Sequence, residues 1–170
     1  MALRWESIQW PDGSTYEGLT NSGKCHERGV LKYKNGDRYE GEFLSNHMAG
    51  YGVYVWKDGT VYRGQWQDSA MQGCGVRLGK SGDFLTAEEG KFLGDEWVGE
   101  VMGCSREQAR EAAREADLAA SMARAFQVPQ HRHRRGKVED LSPAAEGPRD
   151  EAAESQEAKP SVGGFLGRGH

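Results

Sequence analysis

The chain has 170 residues, 22 basic and 26 acidic, for a formal net charge of −4. That length allows one modest domain plus tails, and that charge gives no general attraction to nucleic acid. No apolar run approaches bilayer-spanning length, and the opening MALRWESIQW lacks both the apolar core of a signal peptide and the composition of a transit peptide. The sequence holds five Trp, six Tyr and five Phe, of which only Phe126 and Phe165 follow Cys104, and 18 of the 24 glycines precede that cysteine. Aromatic burial can therefore build structure in residues 1–102 and hardly at all in the last third.

In chain order, residues 1–10 read as the second half of a repeat unit, with Trp10 in the column later held by Tyr33 and Trp56. Glu6 stands where that column's glycine belongs. Three units follow, at about 11–34, 35–57 and 58–80. Tyr16, Tyr39 and Tyr62 recur every 23 residues, as do Gly18, Gly41 and Gly64, Gly29, Gly52 and Gly75, and Val30, Val53 and Val76. Gly13, Gly36, Gly59 and Gly82 keep the same interval. A degenerate unit, 81–102, ends the array, with Gly90 lying 26 residues after Gly64. Imperfect terminal units are the rule in stacked repeats, whose outer faces meet water.

Within the second unit, Asn35-Gly36 marks a tight turn, because both residues tolerate positive φ. Arg38 to Leu44 alternates as a strand, with Tyr39, Gly41 and Phe43 on one face and Glu40 and Glu42 on the other. A polar turn over Ser45–Ala49 and a return strand over Gly50–Trp56 complete the hairpin. Glycine alternates with aromatics because a ring can lie flat only where the neighbouring strand carries no Cβ. The expected fold is mainly β, an elongated, twisted antiparallel sheet of tandem hairpins.

Tyr39-Glu40-Gly41-Glu42-Phe43 with Gly50-Tyr51-Gly52, and Tyr62-Arg63-Gly64-Gln65-Trp66 with Gly73-Cys74-Gly75, resemble the MORN repeat (membrane occupation and recognition nexus). The first unit fits less well, since Thr20 replaces the aromatic and Glu27 a glycine. The resemblance covers about residues 1–102. It implies an elongated sheet that scaffolds partners or tethers membranes. Some relatives place such repeats before the catalytic domain of a phosphatidylinositol phosphate kinase or a lysine methyltransferase, so a regulatory fragment lacking that domain is the alternative. Junctophilins pair such repeats with an alanine-rich helix.

Ser105 with Gln108 has the spacing of a capping box, opening a helix over 105–127. Glu107 with Arg110 and Glu111 with Arg114 form i,i+3 pairs. The stripe Ala109, Ala112, Ala113, Ala116, Ala120 and Ala123 suits a helix capping the open end of the sheet, with self-association, partner binding or a free helix as alternatives. Arg132, Arg134, Arg135 and Lys137 form a basic cluster that reads as solvated linker, with a contact for anionic lipid, a nucleic-acid contact or a localisation signal as alternatives. The tail, 128–170, reads as disordered.

No catalytic constellation is legible, and no cofactor or metal site. The Gly-x-Gly pairs recur with the repeat and lack the Lys-Ser/Thr of a phosphate loop. His26 and His47 share no ligand spacing. Cys25, Cys74 and Cys104 are widely separated and odd in number, and are expected as free thiols in a reducing compartment. Glu17, Glu40 and Arg63 point away from the aromatic face, where they solubilise the sheet. The expected function is a non-catalytic scaffold for a protein partner, cytoplasmic or peripheral at a membrane. Homo-oligomers through sheet edges, sheet ends or the helix are an alternative, and a plastid location is left open by the family's range. Tyr16, Tyr39, Phe43, Tyr54, Trp56, Tyr62 and Trp66 are expected to line an exposed partner-binding face.

Overall fold

A computed structural model describes residues 2–101 and 103–127. The expected disordered tail and the basic cluster Arg132, Arg134, Arg135 and Lys137 lie outside the described residues. Nine strands form a single sheet in sequence order, every neighbouring pair antiparallel. They are β1 (Arg4–Gln9), β2 (Thr15–Asn21), β3 (Lys24–Lys32), β4 (Arg38–Leu44) and β5 (His47–Val55). β6 (Val61–Gln67), β7 (Ala70–Ser81), β8 (Phe84–Leu93) and β9 (Glu96–Gly99) follow, and then α1 (Arg106–Arg124).

The 23-residue interval becomes one cross-strand row of glycines. Gly18, Gly29, Gly41, Gly52, Gly64, Gly75 and Gly90 are successive cross-strand partners from β2 to β8. Glu6 ends the row on β1, opposite Gly18. Tyr39 lies along this row. A Cβ on Gly52 would stand 2.3 Å from its hydroxyl oxygen and 2.5 Å from the ring carbon that bears it. The glycines are thus required by ring volume, as the alternation implies.

Beside the row runs a line of β-bulges. The register slips between Gly18 and Thr20, Gly41 and Phe43, and Gly64 and Trp66, once in each unit. The extra residues lie on β3, β5 and β7, where Glu27, Gly50 and Gly73 take positive φ, and the carbonyl of the residue facing each bulge accepts a tyrosine hydroxyl: Leu19 from Tyr16 at 2.5 Å, Glu42 from Tyr39 at 2.7 Å, and Gln65 from Tyr62 at 2.8 Å. In two units the side chain of that facing residue caps the bulged strand, with Glu42 Oε2 accepting from Tyr51 N at 2.5 Å and Gln65 Oε1 from Cys74 N at 2.7 Å. One tyrosine per unit therefore covers a glycine and pairs a carbonyl the ladder leaves out.

The turns alternate in kind. At one margin Asp12, Asn35 and Asp58 accept the backbone N–H two residues on, from Ser14, Asp37 and Thr60, each the Asx-turn the N/D-Gly pairs announce. At the other margin the turn is shorter than the expected Ser45–Ala49. Leu44 already faces His47, leaving Ser45 and Asn46 as the loop, both at positive φ (45° and 73°). Asn46 also binds the preceding unit, donating its N–H to Cys25 O and accepting from Cys25 N at 2.8 Å. Ser69 repeats both bonds on Met48, and Asp95 on Met71.

Candidate functional site

The seven aromatic residues expected on one face do share it, but as the core. Tyr16, Tyr39, Tyr54 and Tyr62 are fully enclosed, Phe43 and Trp66 nearly so, and Trp56 is partly buried against them. The expectation of an exposed aromatic face is corrected. The line of bulges increases the local twist of the strands, and the rings stack edge-on beneath them instead of facing solvent. Tyr16 meets Phe43 at 5.3 Å between centroids, Phe43 meets Tyr39 at 5.1 Å, Tyr39 meets Trp66 at 5.2 Å, and Tyr62 continues to Phe92 at 4.9 Å. Where the first unit lacks its aromatic, Thr20 Oγ1 donates to Glu6 at 2.6 Å and closes the row with a polar pair. Burial holds the hydroxyls of Tyr16, Tyr33, Tyr39, Tyr54 and Tyr62 protonated well above the ordinary phenol range.

The opposite face carries α1. Its start is as expected, with Ser105 and Gln108 exchanging side-chain and backbone hydrogen bonds. Its place is not the open end of the sheet. Ala116 and Ala120 pack on Val53, with Tyr51, Val55 and Val61 around them. The helix is laid across the sheet because the residues outside the glycine row include Val30, Val53 and Val76, an apolar column that must be covered. Glu40 and Arg63, expected as solubilising groups, lie under it.

The cross-strand row Glu40, Val53, Arg63, Val76, Glu89 runs from β4 to β8. The helix answers its charges in order. Arg124 pairs with Glu40, Asp117 accepts from Arg63 Nε at 2.8 Å, and Arg110 Nε donates to Glu89 at 2.9 Å. Arg110 thus turns to the sheet rather than to Glu107, whereas the expected Glu111–Arg114 pair is present at 3.2 Å. Seven helical residues rise about 10.5 Å and two strand spacings span about 9.6 Å, so the helix matches the pitch of the repeat. At the far end Trp5 Nε1 donates to Phe126 O at 2.7 Å.

The cysteines also depart from expectation. Cys74 on β7 and Cys104 form a disulfide with Cα atoms 5.3 Å apart, so two of the three expected free thiols are paired, and Cys25 is free and buried. Their separation of 30 residues gave no motif, and only the register places them together. Cys74 borders an open cleft of about 640 Å³ between the start of α1 and the sheet, with Tyr51, Gln65, Glu107 and Glu111.

Large apolar side chains are nevertheless exposed. The β7–β8 hairpin outruns its predecessors, pairing as far as Ser81 with Phe84, which accounts for the 26-residue interval before Gly90. At its tip Phe84 and Leu85 are 78% and 86% exposed. Among the described residues no group of His, Cys, Asp and Glu could hold a metal ion, and no helix is long and apolar enough to cross a membrane.

A sheet of stacked hairpins, each built on a tyrosine laid over glycine, defines a tandem-repeat protein. Comparison with known families matches the MORN repeat at residues 16–38, 39–61 and 62–84, so the chain carries three MORN repeats. These units start at the tyrosine rather than at the turn, with the same period. No curated protein matches the chain.

Proposed function

We propose that the protein is a non-catalytic scaffold that binds a protein partner, holds it at a membrane surface, and makes first contact through the β7–β8 finger. The observation that carries this reading is the exposure of Phe84 and Leu85 at the tip of the hairpin that outruns the repeat. Two large apolar side chains in water are unfavourable by about 25 cal/mol per Å² relative to a covered state, and such patches mark interaction sites. The enclosed rings are core and are not themselves the contact.

The test is proximity labelling in the native cell with the wild-type chain and with Phe84→Ser/Leu85→Ser. The double variant should lose its principal labelled partner while keeping its urea midpoint. An unchanged set of labelled proteins would rule out the finger. The membrane part is read with vesicles containing anionic lipid, where neutralising Arg132, Arg134, Arg135 and Lys137 together should abolish sedimentation with the vesicles.

A further inference from the structure

We propose that the Cys74–Cys104 disulfide is a thiol-controlled strap that keeps α1 on the sheet. Three features converge on it. The helix docks through alanines, which bury little area each, and through ion pairs whose helical partners Arg110, Asp117 and Arg124 are all at least half exposed. Their sheet partners Glu40, Glu89 and Arg63 are covered largely by the helix itself, so the pairs act only while it is docked, and the docked state gains from anything that raises the local concentration of the helix over its face. The disulfide does this, joining β7 to the residue immediately before the Ser105 cap. Lastly, Cys74 borders the open cleft, where a reductant can reach it.

The chemistry is thiol–disulfide exchange with a dithiol reductant. One reductant thiolate attacks Cys74 Sγ, forming a mixed disulfide and releasing the Cys104 thiolate, which takes up a proton. The second reductant thiol, as its thiolate, then displaces Cys74 and leaves as the oxidised reductant, and Cys74 is protonated. Two electrons and two protons pass to the protein. Cys25 is buried on the opposite face and takes no part. Once released, α1 uncovers Val53 and the charged row Glu40, Arg63 and Glu89.

Amide hydrogen exchange on the full chain tests this, comparing the oxidised protein with the same sample after a dithiol reductant. Amides of Arg106–Arg124 should exchange at least about tenfold faster after reduction, with those of β4–β6 unchanged, and reoxidation should restore protection. Cys104→Ser should show the fast helix with or without reductant; if it fails to fold, reduced wild type reports the same state. Unchanged helix protection on reduction overturns the proposal. So does a joint loss of protection in helix and sheet, since the disulfide would then staple the whole fold, and so does finding three free thiols in the oxidised sample.

Discussion

Tyr39 shows why a residue so disfavoured in strands as glycine recurs at every turn of this repeat. Its ring occupies the volume a Cβ would need at Gly52, and its hydroxyl binds the Glu42 carbonyl that the bulge removes from the ladder. Gly52→Ala should therefore cost about 2–4 kcal/mol in urea unfolding, as overpacking a closed site does. Tyr39→Phe keeps the volume and should cost only about 1–2 kcal/mol, the effect of one buried unpaired carbonyl. The five buried tyrosines also set an alkaline limit. Burial raises each folded-state pKa above the unfolded value of about 10, so their contribution is full below pH 10 and falls as pH rises beyond it. Tyrosinate absorbance should grow together with loss of the β-sheet circular dichroism signal. Tyrosinate formed by these rings within an intact sheet would contradict the buried assignment.

Between the hairpins the joints are Asn46, Ser69 and Asp95, each binding the unit before it through main chain and side chain. Asn46→Ala removes one buried acceptor and places alanine at φ 73°, so a loss of about 1–3 kcal/mol is expected by chemical denaturation. The three positions differ in residue type, and the last is displaced by the insertion, so no repeated letter announced them. The helix tells a similar story. Its cap and alanine stripe were legible, but its destination required noticing that Val30, Val53 and Val76 share the period of the tyrosines while lying on the other face. Ala116 is fully buried against that column, and Ala116→Leu should loosen α1 by about 1–3 kcal/mol while leaving the sheet's amide protection intact.

At the scale of the molecule, one period sets two surfaces. On the inner face the 23-residue interval aligns glycines into a row and rings into an edge-to-face series; on the outer face it aligns Glu40 with Arg63, and the lengthened β7–β8 hairpin brings Glu89, 26 residues on, into the same row under a helix carrying complementary charges every seven residues. Strand order and facing were readable from that interval because two-residue alternation fixes which side chains share a face. Burial was not, because alternation alone cannot tell a covered face from an open one, and the bulges are marked only by the positive-φ slot that Gly50 and Gly73 fill and that Glu27 holds in the first unit. The disulfide was hidden for the same reason, since Cys74 and Cys104 meet only after β7, β8 and β9 have paired. The central claim is that the aromatic face is core and that α1 lies on the opposite face of the sheet. Methyl and aromatic nuclear Overhauser effects in the oxidised chain test it most directly. The account predicts cross-peaks from Val53 methyls to Ala116 and Ala120, and from the Tyr62 ring to Phe92. Ala116 and Ala120 methyls at random-coil shifts, or an Ala116 methyl in contact with the Tyr62 ring, would contradict it.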